Sequence, residues 1–251
     1  MLPVRILVLG GTAEARALAA ALDNAGVDFE SSLAGRVSRP RLPVGLVRIG
    51  GFGGAAGLAS HLRDTGVTHL VDATHPFAAT MSAHAVDAGR ATGIPVLRLA
   101  RPGWGSRPDA AAWHWEPTLD AMRATAETLG ERPFISSGRQ TLPAFAPWSD
   151  RDVTVRVVEP LDNPAPPRWT VLEDRGPYRL DGELALLRDH RIDVLLTKDS
   201  GGSYTSAKLD AAAHLGIPVV VLSRPSTLPG AAEVSSVDAC VEQLLAGATG
   251  H

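Results

Sequence analysis

Two stretches of this chain end an apolar run in groups suited to holding an anion. The first, Arg5-Ile-Leu-Val-Leu-Gly-Gly-Thr-Ala-Glu-Ala-Arg16, passes through Gly10, Gly11 and Thr12 straight into a helical pattern that carries Arg16. Backbone N–H groups and the positive end of a helix converge at such a turn, and glycines admit a phosphate close to the backbone. The spacing is not G-x-G-x-x-G, so a tight turn without a ligand is the competing reading. The second, Thr197-Lys-Asp-Ser-Gly-Gly202, closes another apolar run. Lys198 has the chemistry to bind a substrate carboxylate, supply a proton or stabilise developing charge. A surface pair with Asp199 is the alternative. Ser200, Gly201 and Gly202 are expected to form a helix N-cap region able to hold an anion, and Ser137, Gly138 and Arg139 repeat that design.

Three further places complete the candidate site. Ala34-Gly-Arg-Val-Ser-Arg39 follows the expected second strand, where an NAD enzyme places an acid for the ribose hydroxyls. Arg36 and Arg39 suit a 2′-phosphate instead, which favours NADPH. A solvated basic loop is the rival, and Glu30 within the strand weighs slightly against NADPH. Gly50-Gly-Phe-Gly-Gly54 opens a helix; Gly51 and Gly53 fit close approach of a cofactor or a plain flexible loop equally well. Asp72-Ala-Thr-His-Pro-Phe-Ala78 ends the expected fourth strand. Thr74 and His75 would stand at its carboxyl edge, His75 as general acid or hydrogen-bond donor. Pro76 is expected as the first helical residue. In the structural alternative Thr74 is a cap and His75 a packing residue, and Asp72 is expected to organise the turn.

Other chemistries find little support. The remaining histidines have no metal-site spacing, the lone Cys240 allows no internal disulfide, and no G-x-S-x-G elbow is present. Tyr204 and Lys208 stand four apart, as in short-chain reductases, but late in the chain and without the usual serine context. Net charge of −3 argues against a nucleic-acid partner, no apolar run is long enough to span a membrane, and no secretory signal opens the chain, so a cytoplasmic enzyme is the default. Only Lys198 and Lys208 are lysines among the 24 Lys and Arg residues. All five tryptophans fall in the middle segment, where packing is the favoured role.

The elements that must position these residues can be read from periodicity. Continuous apolar runs at Arg5–Leu9, Asp28–Ala34, Leu46–Ile49, Thr68–Ala73 and Pro95–Leu99 alternate with helical stretches, as in a parallel sheet covered on both faces. Residues 101–117 read as a crossover. A second series comes next, with strands near 133–137, 154–158, 170–172, 194–197 and 219–222. The phrase Gly93-Ile-Pro-Val-Leu-Arg-Leu-Ala-Arg-Pro102 returns as Gly216-Ile-Pro-Val-Val-Val-Leu-Ser-Arg-Pro225. A βαβ unit written twice predicts two doubly wound α/β halves, 1–105 for the cofactor and 106–251 for the substrate, with the active site in the crevice between them. Exchange of strands between the halves is compatible with such a repeat.

Taken together, Leu9–Arg16, Asp72–Ala78, Ser137–Arg139, Thr197–Gly202 and Gly216–Pro225 resemble the precorrin-6A reductases of cobalamin biosynthesis, in order and over nearly the whole chain. The resemblance implies two Rossmann-like domains and reduction of a macrocycle double bond by NADPH, giving precorrin-6B. It implies a tetrapyrrole substrate with many acetate and propionate groups, without nucleic-acid or membrane partners, and neighbouring pathway enzymes as possible contacts. On this view the N-terminal turn holds the pyrophosphate, Arg36 and Arg39 the 2′-phosphate, and Lys198, His75 or water supplies the proton. A related branch acts on the cobalt-containing macrocycle; the arginine-rich composition tilts weakly to the metal-free one. Another NADPH reductase, a nucleotide-sugar transferase on two such halves and a non-catalytic nucleotide sensor are the rivals.

Overall fold

The computed structural model describes residues 4–35, 40–226 and 229–249. The chain folds as two compact units, one formed by the described residues up to Pro102 and from Pro225 onward, the other by Gly103–Arg224.

In the first unit five strands come from the first hundred residues: β1 (Arg5–Leu9), β2 (Asp28–Leu33), β3 (Leu46–Ile49), β4 (His69–Asp72) and β5 (Val96–Leu99). Helices α1 (Ala13–Asn24), α2 (Gly54–Asp64) and α3 (Ala79–Thr92) connect them. Side chains alternate across the sheet as the strand period requires. Ile6 and Val8 meet Leu18 and Leu22 of α1 on one face, whereas Leu7 and Leu9 meet Leu58 and Leu62 of α2 on the other.

The second unit holds β6 (His114–Glu116), α4 (Leu119–Leu129), β7 (Pro133–Ile135), β8 (Val153–Val157), β9 (Trp169–Glu173), α5 (Leu180–Asp189), β10 (Val194–Lys198), α6 (Ala207–Leu215) and β11 (Val219–Leu222). Short 3-10 turns occupy Trp104–Ser106, Ala110–Ala112 and Arg139–Trp148. Four of the five tryptophans are packing residues, as expected: Trp104 and Trp148 are buried, and Trp113 and Trp115 pack on the core of this unit. After β11 the chain returns to the first unit with β12 (Ala232–Val234) and α7 (Val237–Thr249).

Both sheets have six parallel strands, in the order β12-β5-β4-β1-β2-β3 and β6-β11-β10-β7-β8-β9. Each follows the 3-2-1-4-5-6 order of dinucleotide-binding folds, read from the opposite edge. Each takes its sixth strand from the other half of the sequence. The division of the chain at 105 therefore needs correction at its C-terminal end. Residues from Pro225 on belong with the first unit, because β12 pairs with β5 from Ala232↔Leu97 to Val234↔Leu99 and α7 buries Cys240 and Leu244 in the α1 face of the core. The crossover 101–117 likewise contains an unforeseen strand, β6, paired with β11.

The repeated phrase has a clear job in this topology. Gly93 and Gly216 end α3 and α6 in left-handed conformation, with φ of 73° and 64°. Ile94-Pro95 and Ile217-Pro218 then lead into the buried strands, and Arg101-Pro102 and Arg224-Pro225 mark the two points at which the chain changes unit.

Candidate active site

In the first unit the carboxyl ends of β1, β2 and β4 are tied into one frame. Thr12 is the N-cap of α1: its Oγ1 accepts from Ala15 N–H at 3.0 Å and donates to the Ala73 carbonyl at 2.8 Å. Capping one N–H leaves the other N–H groups of the first turn directed out of the helix end, where the dipole is positive. Gly10 donates to Ser32 O, and a Cβ there would press on Ala15 and Leu33 at 3.4 Å. Gly11 has φ 108° and open space where a side chain would stand. Arg16 is half-buried one turn into α1.

Asp72 organises the end of β4, as expected. Its Oδ1 accepts from Thr74 N–H and from Thr74 Oγ1 at 2.6 Å, and Oδ2 pairs with Arg98, whose guanidinium also donates to Ser82 Oγ at 2.6 Å. His75 Nδ1 accepts from Phe77 N–H at 3.2 Å, which leaves Nε2 to carry the proton of the neutral ring. Pro76 does not begin the helix. It lies in a turn, and α3 starts at Ala79, because His75 and Ala78 close a bonded turn first.

Glu30 does not stand where a ribose would meet it. It is buried in the middle of β2, opposite Leu7, and bonds His61 Nε2 of α2 at 3.1 Å. The strand instead ends in Leu33-Ala34-Gly35, without an acid. Arg36 and Arg39 lie outside the described residues. At the end of β3, Arg48 donates to the carbonyls of Gly50 and Gly51 at 2.6 and 2.7 Å and stacks on Phe52, which shapes the loop into the α2 N-terminus. Gly53 is the N-cap there in left-handed conformation, and both Gly51 and Gly53 face open space.

In the second unit Lys198 closes β10. It is partly buried, and burial pulls its pKa below the ordinary lysine value. Asp199 does not form the surface pair considered for it. Its carboxylate accepts from Trp104 N–H at 2.7 Å and pairs with Arg224 Nε at 3.2 Å, and it lies so near Gly103 that a Cβ there would come within 2.5 Å of Oδ2. One buried carboxylate thus fastens both chain crossings of this unit, a role that the sequence did not reveal. Ser200, Gly201 and Gly202 require a correction: they are not the cap of α6, which begins at Ala207 with Ser206 before it. The intervening turn exists because Trp104 Nε1 holds Gly202 O at 3.0 Å and Lys208 Nζ holds Thr205 O at 3.1 Å. Lys208 is fully buried under Trp104 and Tyr204 is exposed, so the short-chain-reductase pair does not form.

At the end of β7, Ser137 is buried with its hydroxyl on Thr141 at 2.7 Å, and Arg139 reaches Pro160 O and Asp162 at 2.9 and 3.0 Å. Gly138 precedes a run of 3-10 turns rather than an α-helix, since Pro143 and Pro147 interrupt the bonding.

The chain matches the family model described as Precorrin-6x reductase CbiJ/CobK over residues 5–245. It belongs to the precorrin-6x reductase family. The precorrin-6A reductase of Rhodococcus erythropolis is 52% identical over 93% of this chain and 94% of that one. The solved structure of CobK precorrin-6A reductase superposes with a TM-score of 0.89 at 37% identity, covering 97% of this chain and 96% of the other. The cobalt-precorrin-6A reductase of Priestia megaterium is 28% identical over 88% of this chain and 90% of its own. The chain is therefore a cobalamin-biosynthesis enzyme, and as a reductase it works with a nicotinamide cofactor. Among the described residues no cluster of ligands could hold a metal ion, and no helix is long and apolar enough to cross a membrane.

Proposed function

We propose that this enzyme uses NADPH to reduce one double bond of precorrin-6A, giving precorrin-6B. A hydride and a proton are added across a carbon–carbon bond of the macrocycle. The observation that carries the cofactor reading is the end of β2. Of its two acids, Asp28 stands at the opposite end of the strand beside Arg5 and Glu30 is committed to His61 in mid-strand, and Leu33-Ala34-Gly35 leads to Arg36 and Arg39. A 2′-phosphate suits such a strand end better than a bare ribose.

The first unit's residues fit a dinucleotide. The α1 N-terminus with Gly10, Gly11 and Thr12 offers N–H donors, a positive dipole and open space over Gly11, and Arg16 adds charge one turn on. Gly51 and Gly53 leave similar room at α2. Arg36 and Arg39 hold the 2′-phosphate, and Thr74, fixed by Asp72, orients the nicotinamide end. Reduced nicotinamide, when bound there, supplies the hydride.

Residues of the second unit act on the macrocycle. Ser137, Gly138, Arg139, Ser200, Gly201 and Gly202 line strand ends that receive its acetate and propionate groups. The hydroxyl of Ser137 is already engaged, so its part is played by backbone. Lys198 gives the proton: burial lowers its pKa, which makes the ammonium a stronger acid. His75, with Nε2 protonated in the neutral ring, is a second donor or a hydrogen-bond donor to the ring system. Conjugation already activates the substrate, so orientation and exclusion of water supply much of the rate.

The metal-free macrocycle is favoured over the cobalt-containing one, because the identity to the relative named precorrin-6A reductase is 52%, against 28% to one named for the cobalt form. Steady-state rates with both macrocycles and both nicotinamides test the proposal. It expects kcat/KM to be highest for precorrin-6A with NADPH, and the NADPH advantage to collapse in the Arg36→Ala, Arg39→Ala double variant. Equal use of NADH by the wild type would refute the cofactor assignment.

A further inference from the structure

A cavity of about 370 Å³ opens at the amino-terminal edge of the second unit's sheet, lined by Arg132, Asp152, Arg168, Asp189, His190 and Arg191 among others. Arg132, Asp152 and Arg168 precede β7, β8 and β9, so the cavity lies at the opposite end of the strands from Ser137 and Lys198. Three guanidiniums face two carboxylates there. Asp152 already accepts from Arg168 at 2.9 Å and pairs with Arg132 at 3.6 Å, and the Arg168 bond holds its carboxyl below the usual range. Arg191 forms no ion pair with a carboxylate among the described residues.

The backbone of Arg191 is the second, independent observation. Helices α1, α2 and α6 all close with a bond from the residue after the left-handed one back to the helix: Val27 N to Leu22 O, Val67 N to Leu62 O and Ile217 N to Ala212 O. The left-handed residues there are Gly26, Gly66 and Gly216, as the steric cost of a Cβ demands. Helix α5 closes in the same way, Ile192 N to Leu187 O, but its left-handed residue is Arg191, with φ 50°. It is the single non-glycine residue of positive φ among the described residues. A side chain placed at that strained position, in a cavity where it adds positive charge without an ion pair among the described residues, points to a use for the charge.

We propose that this cavity binds a small polyanion, a molecule presenting two or more phosphate or carboxylate oxygens to the Arg132, Arg168 and Arg191 guanidiniums. Planar guanidinium forks match such oxygens in pairs, and the volume is that of a small-molecule site. The helix end itself is the negative pole of α5, so binding depends on the arginines.

Thermal unfolding of the whole enzyme tests this, with sodium pyrophosphate or sodium citrate, each against sodium chloride of equal ionic strength. In the wild type one or both anions raise Tm saturably beyond chloride; pyrophosphate alone identifies a phosphate ligand, citrate alone a carboxylate. Arg191→Ala, which removes the charge and keeps the strain, weakens the apparent affinity about tenfold. Arg191→Gly weakens it equally and raises the Tm of the ligand-free protein by about 2 °C. Reduction of the macrocycle is unchanged in both variants. The proposal is overturned by a Tm response that chloride reproduces, by one that all three proteins share, or by an Arg191→Gly variant that melts lower than the wild type without ligand.

Discussion

The two units share a sheet order and differ in the segment after the leading inner strand, β1 in one and β7 in the other. After β1 comes α1, an α-helix of 12 residues capped by Thr12; after β7 the same place is taken by the 3-10 run Arg139–Trp148, which carries two prolines and has no side-chain cap. The first arrangement presents a helix N-terminus, with its uncompensated N–H groups, to the carboxyl edge of the sheet. The second has no α-helix N-terminus at that place. The repeated phrase makes the exchange explicit. Register pairs Asp72 with Arg98 and Thr197 with Val221, and the two copies of the phrase superimpose Arg98 on Val221. Lys198 therefore occupies the position of Ala73. One scaffold has been fitted with backbone donors and a helix dipole in one unit and with a lysine in the other, which suits a compact phosphate in the first and dispersed carboxylates with a proton to deliver in the second.

Each unit also clamps its second strand to the helix after its third, by different means. In the first, Glu30 bonds His61 at 3.1 Å; in the second, Arg156 and Glu183 form a buried bidentate pair at 2.5 and 2.9 Å, with Tyr178 stacked 3.6 Å from the guanidinium. The largest expected effect tests this contrast. Glu183→Ala leaves a buried guanidinium without its partner and should destabilise the second unit by about 4 kcal/mol. His61→Ala should cost less, about 2 kcal/mol, since the buried Glu30 carboxylate loses a single bond and not a bidentate pair. Urea unfolding of the two variants reads the difference, and equal losses would show that the clamps are equivalent.

Lys198→Ala gives the second unit the side chain of the first at the matched position. Turnover should fall about 100-fold, with NADPH affinity within about twofold of the wild type, as removal of a general acid requires. Unchanged turnover removes Lys198 from proton delivery.

Lys208 offers a smaller, pH-dependent effect in the second unit. Burial, with Arg156 nearby, lowers its pKa to about 7 against an ordinary value of 10.5. Between those values the unfolded chain binds the proton and the folded one does not, so stability rises with pH across this window. Below about pH 7 the cost of charging the buried amine is fully present. Lys208→Met should flatten that slope and raise stability at pH 6 by about 2 kcal/mol. Urea midpoints at pH 6, 8 and 10 check both signs, and a steeper slope in the variant would contradict the assignment.

The smallest effect concerns the cap. Thr12→Ala should cost about 1 kcal/mol and weaken NADPH binding, because the cap bond and the tie to Ala73 O are both lost. Isothermal titration with NADPH measures the second part; unaltered affinity would mean that the α1 end does not depend on its cap.

Much of this contrast was legible in the residues, for reasons that also explain what was not. Runs such as Ile6–Leu9 and Leu195–Thr197 are buried on both faces and read as parallel strands without ambiguity. Strands β6 and β12 have three residues each, too few for any period, and they pair with β11 and β5, the edges written by the repeated phrase. Two near-identical edges give a sequence no means of saying which one a later strand will choose, so the exchange was visible as an option and not as a fact. Pro143 and Pro147 concealed the helical turn of 139–148. At the candidate site, glycines and strand-end polar residues were legible because they break an apolar run. The tasks of Asp199 and Glu30 were not, because each depends on a partner far along the chain: Trp104 and Arg224 for one, His61 for the other.

The central claim is that the first unit holds NADPH and the second presents precorrin-6A for reduction. Anaerobic mixing of the purified enzyme with one equivalent each of NADPH and precorrin-6A tests it most directly. The loss of nicotinamide absorbance at 340 nm is followed beside the macrocycle spectrum, with the product identified by mass. The account predicts one NADPH oxidised per macrocycle and a product heavier by two hydrogens. Loss of the precorrin-6A spectrum without matching NADPH oxidation, or no reaction with either nicotinamide, would contradict it.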